Sequence, residues 1–239
     1  MPLIEVKNLK KKYEEGDTAT VALHGVSFNI EAGEFVAIMG PSGSGKSTLL
    51  HILGFLDGQT SGEYLFDGKK MEDYEEWEVA SIRNKKMGFI FQAFNLLPRT
   101  SVYENVILPL VYSDISEDKW HAIAMNAIRA VGLEHRADHE PSELSGGEKQ
   151  RAAIARALVT DPAVIFADEP TGNLDSKSGQ AIMEILQDLN EQDHRTIVLI
   201  THETYTAENA ERILHMKDGE VEKDEKVAHR KHARAGFRK

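Results

Sequence analysis

A glycine-rich stretch between two apolar segments constrains the fold of this chain more than any other feature. Residues 40–48 read GPSGSGKST, follow the apolar run 35–39 and precede the apolar segment 49–53. This order predicts a buried strand, a glycine-rich turn and a helix, the context that the P-loop pattern G-x-x-x-x-G-K-[ST] requires. A flexible Gly/Ser turn is the alternative interpretation, and the flanking strand and helix argue against it.

The P-loop pattern predicts a site for a polyphosphate. Glycines let backbone N–H groups approach an anion closely, and the following helix directs the positive end of its dipole at the same anion. Lys46 can reach the β- and γ-phosphates, and the Ser47 hydroxyl can bind Mg²⁺. The residues expected to contact the phosphates are Gly40, Pro41, Ser42, Gly43, Ser44, Gly45, Lys46, Ser47 and Thr48.

The remaining apolar runs predict an α/β fold. Buried parallel strands are expected at 35–39, 87–91, 163–167 and 196–200, and a small antiparallel sheet is expected at 3–6, 21–30 and 62–68. From about residue 93 to 160 the strand-like runs give way to amphipathic helices, which indicates an inserted helical subdomain. We therefore predict one domain over residues 2–225: a P-loop NTPase core of RecA-like type with an antiparallel β subdomain and an α-helical insertion.

Composition narrows the cellular context. The chain has no cysteine, which favours a reducing compartment, and no apolar run near the roughly 18 residues that span a bilayer. We expect a soluble, cytoplasmic chain that a partner can hold at a membrane. Residues 226–239 carry six Lys and Arg side chains and no acidic one. This segment is predicted to be a flexible, solvated tail, and contact with anionic lipid headgroups is the alternative.

Polar residues end three of the predicted buried strands. Because the carboxyl ends of parallel strands share one edge of a sheet, Asp168, Glu169, Gln92 and His202 are expected near the P-loop. Asp168 can hold Mg²⁺ through water, and Glu169 can polarise the attacking water as general base. Gln92 can contact Mg²⁺ or that water, and His202 can donate a hydrogen bond to a γ-phosphate oxygen. Helix capping or simple solvation is the alternative for each.

Two adjacent glycines, residues 146 and 147, lie within the sequence LSGGE of residues 144–148. These five residues are called here the signature segment. Ser145 and Glu148 form an S-x-x-E capping box that opens a long helix. Two glycines at a helix start also leave an anion site free of side chains. Since the chain already has one phosphate site, this one suggests a grip on the ATP of a neighbouring subunit. A plain helix start is the alternative.

Together these motifs resemble the ATP-binding cassette (ABC) ATPases over about residues 2–225. They match, in order, the family's Walker A at 40–48, Q-loop at Gln92, signature at 144–151, Walker B at 164–170, D-loop at 173–175 and switch histidine at His202. A closer resemblance, carried by residues 141–144 and 167–175, is to the LolD/MacB/FtsE group.

The resemblance implies that the chain hydrolyses ATP to ADP and phosphate with Mg²⁺. It further implies an ATP-dependent homodimer facing head to tail, in which one P-loop and the partner's Ser145, Gly146 and Gly147 clasp each ATP. The resemblance also implies that Tyr13 stacks on adenine and that Asp175 belongs to the nucleotide interface. A tyrosine that only packs near an edge strand is the alternative for Tyr13.

The same resemblance implies integral-membrane permease subunits of FtsX/MacB type, which would hold the chain at the inner face of the cell membrane. Their coupling helix would dock in a groove formed by Phe94, Leu96, Leu97 and neighbouring residues of the helical subdomain, and a place in the subdomain core is the alternative for these residues. We expect a transporter of the lipoprotein-release or macrolide-efflux type. A regulatory cell-division ATPase is the alternative, followed by a soluble ABC ATPase acting on nucleic acid, which the net charge of −11 disfavours. The sequence does not reveal the cargo.

Overall fold

A computed structural model of the chain describes residues 1–15 and 18–235. Its strands are β1 (Ile4–Glu15), β2 (Thr18–Ile30), β3 (Phe35–Met39), β4 (Ser61–Phe66), β5 (Lys69–Lys70), β6 (Met87–Ile90), β7 (Val164–Asp168), β8 (Thr196–Thr201), β9 (Arg212–Lys217) and β10 (Glu220–Lys226). Its α-helices are α1 (Lys46–Leu53), α2 (Glu76–Lys86), α3 (Val102–Val111), α4 (Trp120–Ala130), α5 (Gly146–Leu158), α6 (Ser176–Glu191) and α7 (Thr204–Ala207). The strands form two sheets, which confirms the predicted α/β class.

The larger sheet has the strand order β10-β9-β3-β8-β7-β6, and the strands from β9 to β6 run parallel. Successive residues of its central strands enter opposite cores. In β3, Phe35 packs with the helices α3 to α6, whereas Val36 packs on the side of α1 and the second sheet. Burial on both faces explains why these strands are continuous apolar runs. The carboxyl ends of β3, β7 and β8 consequently meet at one edge.

The smaller sheet is antiparallel, with the order β2-β1-β4-β5. Its strand β1 is longer than the predicted strand at residues 3–6 because it pairs with β2 as far as Glu15. The sequence conceals this extension because the charged residues 10–12 interrupt the apolar pattern. Pairing between strands supplies the backbone hydrogen bonds there, and the register shifts twice near these residues.

The segment predicted as a helical insertion, residues 93–160, contains α3, α4 and α5. Their apolar side chains join the core on one face of the larger sheet. Helix α4 begins at Trp120, directly after a 3₁₀ turn formed by residues 117–119. The indole of Trp120 donates to the carbonyl of Ile115 at 2.8 Å, which fixes the entry into the helix.

The basic C-terminal segment differs from the flexible tail that the sequence predicts. Strand β10 extends to Lys226, and residues 230–235 contact α6. Arg230 donates to the carbonyl of Asn209 at 2.8 Å, and the backbone N–H of Ala233, which is fully buried, donates to Gln187 at 2.8 Å. Acidic side chains on α6 and after α7 supply the counter-charges that the local composition lacks. Residues 236–239 of this prediction lie outside the described residues.

Candidate nucleotide site

The P-loop lines an open cavity of about 930 Å³. Helix α1 starts at Lys46, and no side chain caps it, since its N-cap is Gly45. The P-loop residues at the cavity wall are Gly40, Pro41, Ser42, Gly43, Gly45, Lys46, Ser47 and Thr48. Ser44 is buried beneath them, and its hydroxyl has no hydrogen-bond partner among the described residues. An uncapped helix start and an unpaired hydroxyl suit a phosphate.

Two glycines of the P-loop are required by close backbone contacts. A Cβ on Gly40 would lie 2.2 Å from the carbonyl oxygen of Met216, and one on Gly45 would lie 2.6 Å from that of Ala22. Gly45 also has φ +93°, in the left-handed region that favours glycine. The loop therefore takes its shape only with hydrogen at both positions, which the turn between β3 and α1 demands.

The surroundings of Lys46 and Asp168 shift the pKa of each side chain in the direction that favours its neutral form. Burial lowers the pKa of the Lys46 ammonium, although the carboxylates of Glu169 and Asp168 oppose this shift. Burial and the charge of Glu169 raise the pKa of Asp168. The ammonium of Lys46 donates to the carbonyl of Pro41 at 2.7 Å. An anion beside Lys46 and a cation beside Asp168 would each stabilise the charged form of its neighbour.

Glu169 and His202 form a direct pair at the mouth of the cavity. His202 Nδ1 donates to Glu169 Oε1 at 2.7 Å, since an ionised carboxylate can only accept. The backbone N–H of Glu169 donates to the carbonyl of Ile200 at 2.9 Å, and Glu169 has φ +44°. A non-glycine residue in this conformation is uncommon and clusters at functional sites. The sequence predicted both residues here but not their mutual hydrogen bond.

Gln92, which was also predicted at the sheet edge, does not line the cavity. Its side chain lies against Gly172, where a Cβ would come within 2.7 Å of the Gln92 amide nitrogen. The Gln92 carbonyl accepts from Asn173 Nδ2 at 2.9 Å. Gln92 thus contacts the loop that follows Glu169 and not the P-loop cavity. Asp168, which ends β7 half-buried, is likewise absent from the cavity wall.

Tyr13 is held by side chains outside the cavity. Its hydroxyl donates to Asp57 Oδ2 at 2.8 Å, and the ammonium of Lys11 lies 4.7 Å from the ring centroid. The side chain is 38% exposed and does not belong to the cavity wall. Burial, together with the hydrogen bond to Asp57, raises the pKa of the phenol. Asp57 therefore holds the hydroxyl of Tyr13 in place, while part of the ring remains open to solvent.

The signature segment also lies apart from the P-loop cavity, whose wall includes none of its residues. The predicted capping box is present: Ser145 Oγ accepts from the Glu148 N–H at 3.3 Å, and Glu148 Oε2 accepts from the Ser145 N–H at 2.9 Å. Gly147 packs on the start of α6, where a Cβ would lie 2.9 Å from the hydroxyl of Ser178. Asp175 caps α6 by accepting from the Ser178 N–H at 2.9 Å.

Several residues of the cavity wall were not predicted. They come from β2, β9 and β10, and include Thr20, Val21, Ala22, His215, Met216, Lys217 and Glu222. These strands carry no motif, and only their pairing places them opposite the P-loop. No local sequence signal could have identified them.

Comparisons with known proteins agree with this geometry. The ABC transporter family matches residues 23–172. An uncharacterized ABC transporter ATP-binding protein of Methanocaldococcus jannaschii is 48% identical over 229 residues, which are 94% of this chain and 97% of that protein. The macrolide export ATP-binding/permease protein MacB of Bdellovibrio bacteriovorus is 49% identical over 227 residues, and MacB of Chlorobaculum tepidum is 52% identical over 224. The chain spans about a third of the length of these MacB relatives.

Solved structures give the same assignment. A dimeric structure of the archaeal cassette in a post-hydrolysis state, bound to ADP and Pi, superimposes with a TM-score of 0.86 at 46% identity, covering 95% of this chain and 99% of that one. Within the described part of the chain, no helix is both long and apolar enough to cross a bilayer. The family match, the relatives and the P-loop cavity lead to one conclusion: the chain belongs to the ATP-binding domains of ABC transporters, in a group with MacB, and is an ATPase.

Proposed function

We propose that two copies of this chain bind ATP head to tail and that its hydrolysis drives a separate membrane permease of the lipoprotein-release or macrolide-efflux type. One observation carries this proposal. The chain has a cavity at the P-loop and a second glycine-rich helix start, that of α5, which is exposed at Ser145 and is not part of the cavity wall. Two copies can complete each other's sites. The dimeric neighbour with ADP and Pi and the name of the MacB relatives support the proposal.

In this proposal the residues have distinct roles. The P-loop and Lys46 bind the β- and γ-phosphates and offset their charge, and the partner's Ser145, Gly146 and Gly147 bind the γ-phosphate from the other side. Glu169 takes a proton from the attacking water, and His202, which already orients the Glu169 carboxylate, lies beside it. Gln92 links this machinery to the helical subdomain through its contacts at Gly172 and Asn173. Asp175 positions the loop beside the signature segment.

Mg²⁺ fits the donor set beneath the P-loop. Ser47 lines the cavity, and Asp168 ends strand β7, one strand removed from β3, with a carboxylate whose charged form burial disfavours. Hydroxyl and carboxylate oxygens are the ligands that Mg²⁺ prefers in proteins. We propose that these two residues, with Gln92 as a further ligand, hold the ion. When bound, Mg²⁺ would neutralise phosphate charge during hydrolysis.

A dependence on protein concentration tests this function. Because each active site would need two chains, the ATPase rate per chain should rise with chain concentration and level off once dimers predominate. Steady-state phosphate release with saturating Mg-ATP, measured over a hundredfold dilution, checks this expectation. A constant rate per chain over the whole range, from a species with the mass of a monomer, would refute the shared site.

The proposed adenine contact of Tyr13 predicts a selective loss. Tyr13→Ala should weaken ATP binding by about tenfold, since stacking of a base on an aromatic ring contributes about 1–3 kcal/mol. Tyr13→Phe should leave it unchanged because the ring remains and only the hydrogen bond to Asp57 is lost. Calorimetric titration with ATP and with tripolyphosphate separates the base from the phosphates. Equal losses for both ligands, or none in Tyr13→Ala, would contradict the stacking role.

An apolar cavity of about 540 Å³ between the core and the helical subdomain suits the permease contact better than Phe94, Leu96 and Leu97 alone. Phe94 and Leu96 pack against the core, and of the three predicted residues only Leu97, at 45% exposure, is largely open to solvent. The cavity is instead lined by apolar side chains that include Leu56, Phe89, Phe91, Leu108, Pro109 and Tyr112. We propose that an apolar helix of the permease docks here.

Val111, the last residue of α3, and Tyr112, which follows it, offer a matched test of that docking. Tyr112 lines the cavity and is 76% exposed, whereas Val111 is 51% exposed and does not line it. Tyr112→Asp should reduce the fraction of the chain that cosediments with native membranes at least tenfold, because a buried unpaired carboxylate is costly. Val111→Asp should leave that fraction unchanged, and both variants should bind ATP normally. Equal retention of the two variants on membranes would place the contact elsewhere.

A further inference from the structure

Arg136 connects the turn after α4 to the signature segment, within the helical subdomain. It ends the 3₁₀ turn Glu134–Arg136, and its guanidinium makes two directed contacts. Arg136 Nε donates to Glu148 Oε1 at 3.2 Å, and another guanidinium N–H donates to His139 Nε2 at 3.0 Å. The acceptor role of His139 Nε2 orients the guanidinium towards Glu148. Arg136 is therefore held between a neutral ring nitrogen and a carboxylate.

Glu148 brings a negative charge to the start of α5. Its side chain is only 16% exposed, and its Oε2 accepts from the Ser145 hydroxyl at 2.7 Å and from the Ser145 N–H at 2.9 Å. The hydrogen bonds from Ser145, assisted by Arg136, lower the pKa of Glu148 to about 2. The carboxylate is thus ionised in the working range of pH and lies one hydrogen bond from Ser145.

The proposed function, on which the inference below rests, would bring this negative charge close to a triphosphate. If Ser145 binds the partner's γ-phosphate, the Glu148 carboxylate becomes a close neighbour of a triphosphate. Like charges brought together at an interface oppose association. The same carboxylate also accepts the Ser145 hydroxyl proton that a phosphate oxygen would use.

We propose that Arg136 is a positioning residue of the shared ATP site, which neutralises Glu148 and holds its carboxylate back from the partner's triphosphate. The guanidinium takes one carboxylate oxygen, and the other closes the capping box. The start of α5 can then present its N–H groups to the phosphate with no net charge from the pair. Arg136 itself touches no nucleotide in this arrangement.

A charge series in the Glu169→Gln background tests the proposal by the ATP-dependent dissociation constant of the dimer. Arg136→Gln leaves one uncompensated negative charge at each of two sites and should weaken the dimer by about a hundredfold, at about tenfold per site. Glu148→Gln should dimerise at least as tightly as the parent, because glutamine also serves in a capping box. The double variant Arg136→Gln/Glu148→Gln restores neutrality and should return to within about threefold of the parent.

A matched control comes from a second arginine of the same subdomain. Arg129 pairs with Glu134 at 2.8 Å on the exposed surface, so Arg129→Gln should leave the dimer unchanged. Thermal unfolding and ADP binding of each monomer identify variants that fold poorly. A dimer that is weak in both Arg136→Gln and the double variant would show a merely structural role and overturn the proposal, as would an unaffected Arg136→Gln. A Glu169→Gln parent that never dimerises with ATP would instead refute the proposed function, and this inference with it.

Discussion

Replacement of Glu169 by glutamine should slow ATP hydrolysis by about a thousandfold while ATP binding persists. Glu169 lies at the mouth of the phosphate cavity, and a positioned general base contributes about 10²- to 10⁴-fold to a proton-transfer step. Glutamine keeps the size of the side chain and an oxygen that can accept from His202 Nδ1, but it cannot take a proton. Single-turnover hydrolysis and equilibrium binding of ATP, measured on the same preparation, separate chemistry from affinity.

Glu184→Gln is the matched control for this variant. Glu184 lies on α6, where it accepts from Gln180 at 2.8 Å, away from the residues of the cavity wall. Its replacement removes the same charge and should leave turnover within about twofold, as is usual for surface substitutions. Turnover in Glu169→Gln equal to that of Glu184→Gln would remove Glu169 from the proposed role and direct attention to another proton acceptor.

Two inactive variants should regain activity when they are mixed. Lys46→Ala removes the ammonium proposed to bind the phosphates, and Ser145→Asp puts a carboxylate where the partner's γ-phosphate is proposed to lie. Aspartate is itself a favoured N-cap, so α5 should still form. A mixed dimer pairs the intact P-loop of one copy with the intact signature segment of the other, which rebuilds one site of two. Random pairing of equal amounts of the two variants makes about half of the dimers mixed, and each mixed dimer has one intact site of two. An equimolar mixture should therefore show up to about a quarter of the wild-type rate.

The start of α3 supplies the control for the signature variant. Ser101 caps α3 through the same kind of box, accepting from the Glu104 N–H at 3.1 Å. Ser101→Asp makes the same chemical change at a helix that no nucleotide is proposed to touch, and its ATPase rate should stay near that of the wild type. Mixtures of Lys46→Ala and Ser145→Asp that stay inactive, although both variants fold, would argue for sites contained within one chain.

Much of the fold was predictable because its signals are local. A run such as residues 35–39, followed by glycines and Lys46, encodes strand, turn and helix within 20 residues. The α/β class and the group of relatives are confirmed. Glu169 and His202 were expected at one sheet edge because parallel strands end on the same side, and the structure places both at the cavity. Their roles in catalysis remain predictions.

What the sequence could not provide depends on contacts between distant residues. The hydrogen bond from Tyr13 to Asp57 spans 44 positions, and that from Arg230 to the carbonyl of Asn209 spans 21. The second contact holds a segment that composition alone makes look disordered. The close approach of the Gln92 side chain to Gly172 likewise requires the two strands β6 and β7 to be neighbours. Pairing and packing, rather than motif, decide such features.

We expect ATP to join two copies of this chain. The mass of the Glu169→Gln variant in solution, by sedimentation or light scattering with Mg-ATP and separately with Mg-ADP, tests this. The mass should be that of a dimer with ATP, because two triphosphates bridge the copies and persist without hydrolysis, and that of a monomer with ADP. A monomer in both nucleotides, at ATP concentrations that saturate binding, would contradict it.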